Sequence, residues 1–189
     1  MKNATFVLLF IIIIILSINY YIKNKDIIYV KSTIDNRYYK VGDNPDKLQA
    51  ANLLATINNN VSKLLDSLKN NKEPHFIRLC EKYNPDSLRE NTNTTSYKAY
   101  SLNKGEEISL CLRNVDNTLI TDINTIMFVL IHELAHIMTE EIGHPDIFWE
   151  NMNLLLKKSE KIGIYTPIDY SKNPVNYCGM NVNKTPYRF

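Results

Sequence analysis

The spacing of three histidines constrains this chain more than any other feature of its sequence. His132 and His136 form the pattern H-E-x-x-H, and His144 follows with seven residues between. Positions i and i+4 of an α-helix lie on one face, so the first two imidazoles can reach the same metal ion. The six residues before the motif, 126–131, are all apolar. The spacing therefore predicts a buried helix that presents metal ligands on one side.

These residue types in this order are typical of a catalytic zinc site. Zinc in such sites takes three protein ligands and keeps a fourth position open for water. We predict that His132, His136 and His144 bind Zn²⁺. Glu133 follows the first ligand directly, where its carboxylate can take a proton from the zinc-bound water as that water attacks a peptide carbonyl. Gly143 gives the backbone the freedom to bring His144 back to the ion.

Some roles in the predicted site stay open between several residues. Glu140 or Glu141 is an alternative to His144 as the third ligand. His75, the one histidine outside the cluster, is predicted to be a surface or structural residue rather than a fourth ligand. Asp146 or Glu141 can hydrogen-bond a ligand histidine and orient it. Candidate donors to the developing oxyanion are Tyr165, Tyr170 and Tyr177.

The N-terminal segment 4–22 is predicted to cross a membrane. It contains eleven unbroken apolar residues, 6–16, and nineteen helical residues at about 1.5 Å each just span a hydrocarbon core of about 30 Å. A cleaved signal peptide is the alternative, although no small-x-small cleavage site follows the apolar run. Lysines at 23, 25 and 31 favour a cytosolic catalytic domain by the positive-inside rule. We therefore expect a single-pass membrane protein.

The remaining patterns divide the chain into three parts. Residues 1–25 are predicted to be the anchor, 26–43 a tether with some strand character, and 44–189 one catalytic domain. Within this domain, apolar residues at helical spacing predict a long helix that begins at Asn44-Pro45 and ends near Lys69.

A β-hairpin is predicted just before the metal helix. Residues 97–102 and 107–113 flank a turn that contains Gly105, and the second segment alternates apolar and polar side chains. Pro145 and Asp146 then open a further helix. These elements predict an α+β fold that is mainly helical, with a small sheet before the metal helix.

Charge and cysteine content narrow the range of partners and compartments. The net charge is +2 without a long basic block, which argues against nucleic acid as the main partner. Cys80, Cys111 and Cys178 fit neither a zinc ribbon nor a C-x-x-C redox pair. One disulfide between an unspecified pair and three free thiols in a reducing compartment are both compatible with this spacing.

The site motifs carry a resemblance to a known group of enzymes. HELAH at 132–136, followed by the run 143–148 with His144 opening the next helix, resembles the zincin-like metallopeptidases of the WLM and SprT kind. This resemblance covers residues 97–160 best and implies a small zincin-like domain, zinc and peptide-bond hydrolysis. WLM proteins usually place five residues between the second and third histidines, where this chain has seven. Three further stretches, 103–106, 110–113 and 177–180, also look like those of predicted metallopeptidases of large DNA viruses.

We therefore expect a membrane-anchored zinc endopeptidase that acts on a peptide or protein substrate. Two alternatives stay open: a zinc-stabilised scaffold that does not turn over, and a hydrolase for another amide or ester. Glu133 argues against the scaffold, because a scaffold needs no carboxylate beside the water position.

Overall fold

The computed structural model of the chain describes residues 6–7, 9–17, 27–92 and 97–189. In these ranges, helices and three small β-sheets share one hydrophobic core, so the α+β class is confirmed. The helices that form the core are α1 (Lys47–Leu68), α2 (Pro74–Lys82), α3 (Ile123–Met138) and α4 (Asp146–Lys161).

The predicted metal helix is α3, and it is buried along most of its length. Its apolar lead-in from Ile126 to Ile131 lies in the core, where it packs against α2 and α4. Asp122 caps its N-terminus, because the carboxylate accepts hydrogen bonds from the backbone of Asn124 at 3.0 Å and of Thr125 at 3.3 Å. Such a cap satisfies backbone donors that have no partner within the helix.

The long first helix begins two residues later than predicted. The backbone N–H of Lys47 bonds the carbonyl of Asn44 in a turn, so Asn44 and Pro45 precede α1 rather than start it. From there the apolar face follows the helical period into the core.

The predicted hairpin is present and belongs to a three-stranded sheet. Its strands are β4 (Ala99–Leu102) and β5 (Glu107–Leu110), which pair antiparallel. A short strand that the sequence did not indicate, β3 (Leu88–Glu90), adds to β5 in parallel. The strand order β3-β5-β4 leaves β4 at the edge of the sheet, in contact with α3.

The segment predicted as a tether contains a second antiparallel hairpin. Its strands are β1 (Ile27–Lys31) and β2 (Tyr38–Gly42). Tyr39 and Val41 point into the core, while the intervening Lys40 does not. The period of two along a strand explains this alternation.

The C-terminal region is tied to the hairpin sheet by a disulfide. Cys111 and Cys178 are bonded, and Cys80 is a free thiol. Cys178 lies between the short paired strands β6 (Val175–Tyr177) and β7 (Met180–Val182). Tyr177 of β6 also donates from its hydroxyl to the carbonyl of Cys111, and both Ser109 and Cys111 are buried together with their apolar neighbours.

The predicted single-pass membrane localisation is wrong. Within the described parts of the chain, no helix has both the length and the apolar character needed to cross a membrane. Of the predicted segment 4–22, residues 6–7 and 9–17 are described, and they are helical. Residues 4, 5, 8 and 18–22 of that segment lie outside the described residues.

Candidate metal centre

Three imidazoles converge at the C-terminal half of α3. His132 and His136 lie one turn apart on the same face, with ring centroids 4.9 Å apart. The chain leaves α3, turns at Gly143 with φ of +84°, and returns His144 to the pair. Few residues other than glycine adopt this φ readily, so Gly143 supplies the backbone freedom that the sequence predicted.

The cluster fits a metal ion such as zinc. The candidate ligand atoms of the three histidines all lie within 4.8 Å of one another, and the Nε2 atoms of His132 and His144 are 3.1 Å apart. Tetrahedral zinc with Zn–N distances of about 2.0–2.1 Å separates its ligand nitrogens by about 3.3 Å. Three imidazoles at this spacing can hold the ion and leave a fourth position for water or substrate.

The surroundings keep two of these histidines neutral. Burial lowers the pKa of His132, and together with the neighbouring His136 and His144 it brings the value to about 3. The pKa of His136 is lowered to about 4 by burial, with His144 and Lys104 acting in the same direction. Because only the neutral imidazole offers a lone pair to a metal, both side chains are in their ligating form at neutral pH.

Glu133 lies beside the cluster in a buried environment. Its side chain is 5% exposed, and burial raises the pKa of its carboxyl group to about 7. A hydrogen bond from the backbone of Ser101 in edge strand β4 acts in the opposite direction. A carboxyl group whose pKa lies near neutrality is suited to accept and return a proton during a reaction.

The loop that carries His144 is held by residues that the sequence analysis did not single out. Lys104, in the turn of the predicted hairpin, donates from Nζ to the carbonyl of Thr139 at 2.8 Å and to that of Glu141 at 2.7 Å. Asn151 on α4 donates to the Thr139 hydroxyl at 2.9 Å. The run 103–106 was predicted to be the hairpin turn and was noted for its resemblance to viral sequences, but no local pattern indicates these long-range contacts.

Two aromatic residues of α4 pack directly against the cluster. Phe148 is fully buried and contacts all three imidazoles, with ring centroids 4.5–4.9 Å away. Trp149 is 41% exposed and stacks on His144. This exposed ring therefore forms part of the rim of the metal centre.

The three predicted oxyanion donors are buried and make other contacts. The Tyr177 hydroxyl donates to the carbonyl of Cys111 at 2.7 Å. Burial raises the pKa of this hydroxyl, and the nearby carboxylate of Glu133 acts in the same direction. Tyr165 and Tyr170 are buried against Phe128.

Alternative ligands from the sequence also lie apart from the three histidines. His75 Nε2 is 3.0 Å from a carboxylate oxygen of Glu73. Glu140 lies 3.4 Å from the guanidinium of Arg78 and is strongly exposed. Among the described residues, no hydrogen bond joins the carboxylate of Asp146 or Glu141 to a clustered histidine.

The sequence matches one known protein family and is similar to proteins of two viruses. The family model described as "WLM domain" matches residues 33–186. Uncharacterized protein R325 of Acanthamoeba polyphaga mimivirus is 36% identical over 162 residues, which cover 82% of each chain. Uncharacterized protein 042R of Invertebrate iridescent virus 3 is 39% identical over 85 residues, or 44% of this chain and 50% of that protein.

The fold also matches a solved structure. A crystal structure of a Wss1 mutant from Saccharomyces cerevisiae aligns with a TM-score of 0.50 and 22% identity, covering 64% of this chain and 88% of that chain. At this identity the match supports the fold alone. Together with the sequence relatives, it confirms the resemblance to WLM-type proteins and to proteins of large DNA viruses that the motifs predicted.

Proposed function

Because the chain belongs to the WLM family, whose members are zinc-metalloprotease-like, we propose that it is a zinc-dependent endopeptidase. The observation that carries this proposal is the convergence of three imidazoles within 4.8 Å beside a buried carboxyl group. His132, His136 and His144 hold the zinc ion, and Glu133 is the general base. Zinc at this position supplies Lewis acidity, which polarises a carbonyl and lowers the pKa of water.

Edge strand β4 provides a place for the substrate backbone. One side of β4 pairs with β5, and the backbone of Ser101 in β4 reaches Glu133. An extended peptide that adds to such an edge forms main-chain hydrogen bonds that do not depend on its side chains. A peptide bound there runs past Glu133 and the three histidines, which places a scissile bond within reach of the base.

Glu133 moves the proton in this scheme. Its carboxylate accepts a proton from the attacking water and returns it to the nitrogen of the leaving group. Burial raises the pKa of the Glu133 carboxyl group, which strengthens it as a base for this transfer.

A peptide-library digestion tests the proposal. The full-length protein loaded with zinc is expected to cleave a mixed library, and a chelator is expected to abolish cleavage. Glu133→Gln removes the base while keeping the size of the side chain, so it should retain zinc and lose at least about a hundredfold in rate. Zinc binding without cleavage by the wild-type protein would favour a zinc-stabilised scaffold instead.

Metal analysis of histidine variants tests the ligand set separately. His132→Ala, His136→Ala and His144→Ala are each expected to lose bound zinc in elemental analysis. His75→Ala is the matched control and is expected to keep it, because His75 pairs with Glu73 away from the cluster. Full retention of zinc by His144→Ala would remove this residue from the proposed site.

A further inference from the structure

A cavity opens directly beside the metal centre. It has a volume of about 640 Å³ and lies between α3, α4 and the C-terminal segment 184–188. His132 forms part of its wall, so the cavity is continuous with the proposed catalytic site. Phe128 lies one helical turn before His132 on the same face of α3 and also lines it. A side chain next to a bond held at the metal can therefore enter this space.

The inner wall of the cavity is apolar. Phe128 and Met152 are 6% and 1% exposed, and Trp149 and Pro186 complete the apolar part of the lining. Such a surface favours a large hydrophobic group, because binding removes apolar area from water on both sides.

The charged residues at the cavity balance one another. Two carboxylates and two cations line it, and none of the four takes part in an ion pair within the described ranges. A rim with equal numbers of both signs gives no net attraction to a charged side chain. These residues are Asp146, Glu150, Lys184 and Arg188.

The C-terminal segment is fastened in place as a wall. The Tyr187 hydroxyl donates to the carboxylate of Glu160 on α4, and the Tyr187 side chain packs against the core. The backbone N–H of Arg188 donates to the Asn153 side chain at 3.4 Å, and that of Tyr187 to the Thr185 hydroxyl at 3.1 Å. These contacts hold the outer side of the cavity against α4.

We propose that this cavity is the specificity pocket of the protein and receives a large apolar side chain, such as Phe, Leu or Met, next to the scissile bond. The inference rests on the proposed peptidase function and adds the substrate class. A volume of about 640 Å³ lies within the range of about 300–1,000 Å³ in which proteins enclose small ligands, so a bulky side chain fits without rearrangement.

Cleavage-site profiling tests the pocket. In a peptide library digested by the full-length zinc-loaded protein, one position beside the scissile bond is expected to be enriched in large apolar residues. Asn153→Phe narrows the cavity and should shift that position towards small residues by about tenfold. Leu154→Phe adds the same ring on the exposed neighbouring position, outside the cavity, and should keep the wild-type preference. Equal profiles for both variants would overturn the proposal.

A binding measurement separates the pocket from catalysis. Trp149 is the only tryptophan of the chain and lines the cavity, so its fluorescence reports on occupancy. Zinc-loaded Glu133→Gln is titrated with acetyl-Ala-Phe-Phe-Ala-amide and with acetyl-tetra-alanine-amide. The first peptide is expected to bind at least tenfold more tightly, and Asn153→Phe should abolish this difference.

The library digestion and the peptide titration together distinguish a failure of the proposed pocket from a failure of the proposed peptidase function. Discrimination between the peptides without any library cleavage by the wild-type protein supports the pocket and contradicts the peptidase function. Cleavage without a preference for large apolar residues supports the peptidase function and overturns the pocket. Equal binding of the two peptides overturns the pocket whether or not the protein cleaves.

Discussion

The indole of Trp149 stacks on the imidazole of His144, with ring centroids 5.4 Å apart and an angle of 22° between the planes. His144 is the exposed member of the histidine cluster and comes from a loop, whereas its two partners are fixed on α3. A rigid ring on α4 therefore restricts the orientation of the least constrained imidazole. This contact gives an exposed aromatic residue a structural role at the metal centre.

Removing the stack should weaken zinc binding. Trp149→Ala frees the His144 ring, and the loss of a group that orients a ligand typically costs about 10–100-fold in metal affinity. Competition with a chromophoric chelator measures the Kd for zinc directly. Trp149→Phe keeps a flat ring at this position and is expected to recover most of the affinity. An unchanged Kd in Trp149→Ala would show that His144 is held without the indole.

Replacing Arg113 should destabilise the fold. Its guanidinium bonds the carboxylates of Glu90 and Asp46 at 2.7 Å each, and the Glu90 side chain is 2% exposed. Arg113→Met leaves the buried Glu90 carboxylate without its counter-ion, which costs about 3 kcal/mol in free energy of unfolding. Urea denaturation measures this loss. Arg37→Met breaks the exposed pair with Asp86 and should cost less than about 1 kcal/mol.

The destabilisation should depend on pH in a defined direction. The hydrogen bond from Arg113 lowers the pKa of Asp46 below its ordinary value in the folded protein. The stability from this shift is present above the unfolded pKa of about 3.9 and is lost as the pH falls through the lower folded value. The Asp46 part of the difference between wild type and Arg113→Met should therefore shrink as the pH falls below about 4 and disappear once the pH is below the folded pKa. Denaturation curves measured at several pH values test this assignment. A stability difference between wild type and Arg113→Met that is the same at every pH would contradict it.

Local patterns predicted the elements whose signals are contained within a few residues. The glycine turn before His144 and the hairpin ending at β5 both follow from residue preferences over short distances. The three histidines lie together because two of them share one face of α3 and the chain turns back at Gly143. Their roles as ligands, and that of Glu133 as base, remain predictions until metal and activity are measured.

Features that depend on distant partners could not be read from the sequence. The turn of Lys104 meets the end of α3, and the ring of Trp149 meets His144, only after the hairpin and α4 have docked. The pairing of Cys111 with Cys178 likewise requires strands β6 and β7 to lie over the sheet. The apolar run at 6–16 suggested a membrane span from hydropathy alone, and no helix among the described residues is both long and apolar enough for one.

Breaking the disulfide should lower stability. Cys111 and Cys178 are 67 residues apart in the sequence, so their bond removes considerable chain entropy from the unfolded state. Cys178→Ser should cost about 2–4 kcal/mol in free energy of unfolding. Cys80→Ser is the matched control and should leave the melting temperature nearly unchanged, since Cys80 is a free thiol. Equal melting temperatures for Cys178→Ser and wild type under non-reducing conditions would argue against the bond.

Lys104 should control the order of the loop that carries His144. Its ammonium group binds the carbonyls of Thr139 and Glu141, and burial lowers its pKa without removing these bonds. Lys104→Met keeps the length of the side chain but leaves both carbonyls without this donor, and hydrogen bonds to charged groups contribute about 1.5–3 kcal/mol.

Hydrogen–deuterium exchange of residues 139–145 should therefore accelerate in Lys104→Met, and zinc affinity should fall together with it. Lys82→Met removes a nearby lysine that makes no hydrogen bond to this loop among the described contacts, and it controls for the loss of positive charge. A loss of zinc affinity in both variants with unchanged exchange would mean that Lys104 acts through charge alone. Faster exchange confined to Lys104→Met would establish it as a positioning residue, because only this variant releases the two carbonyls that fix the path of the chain to His144.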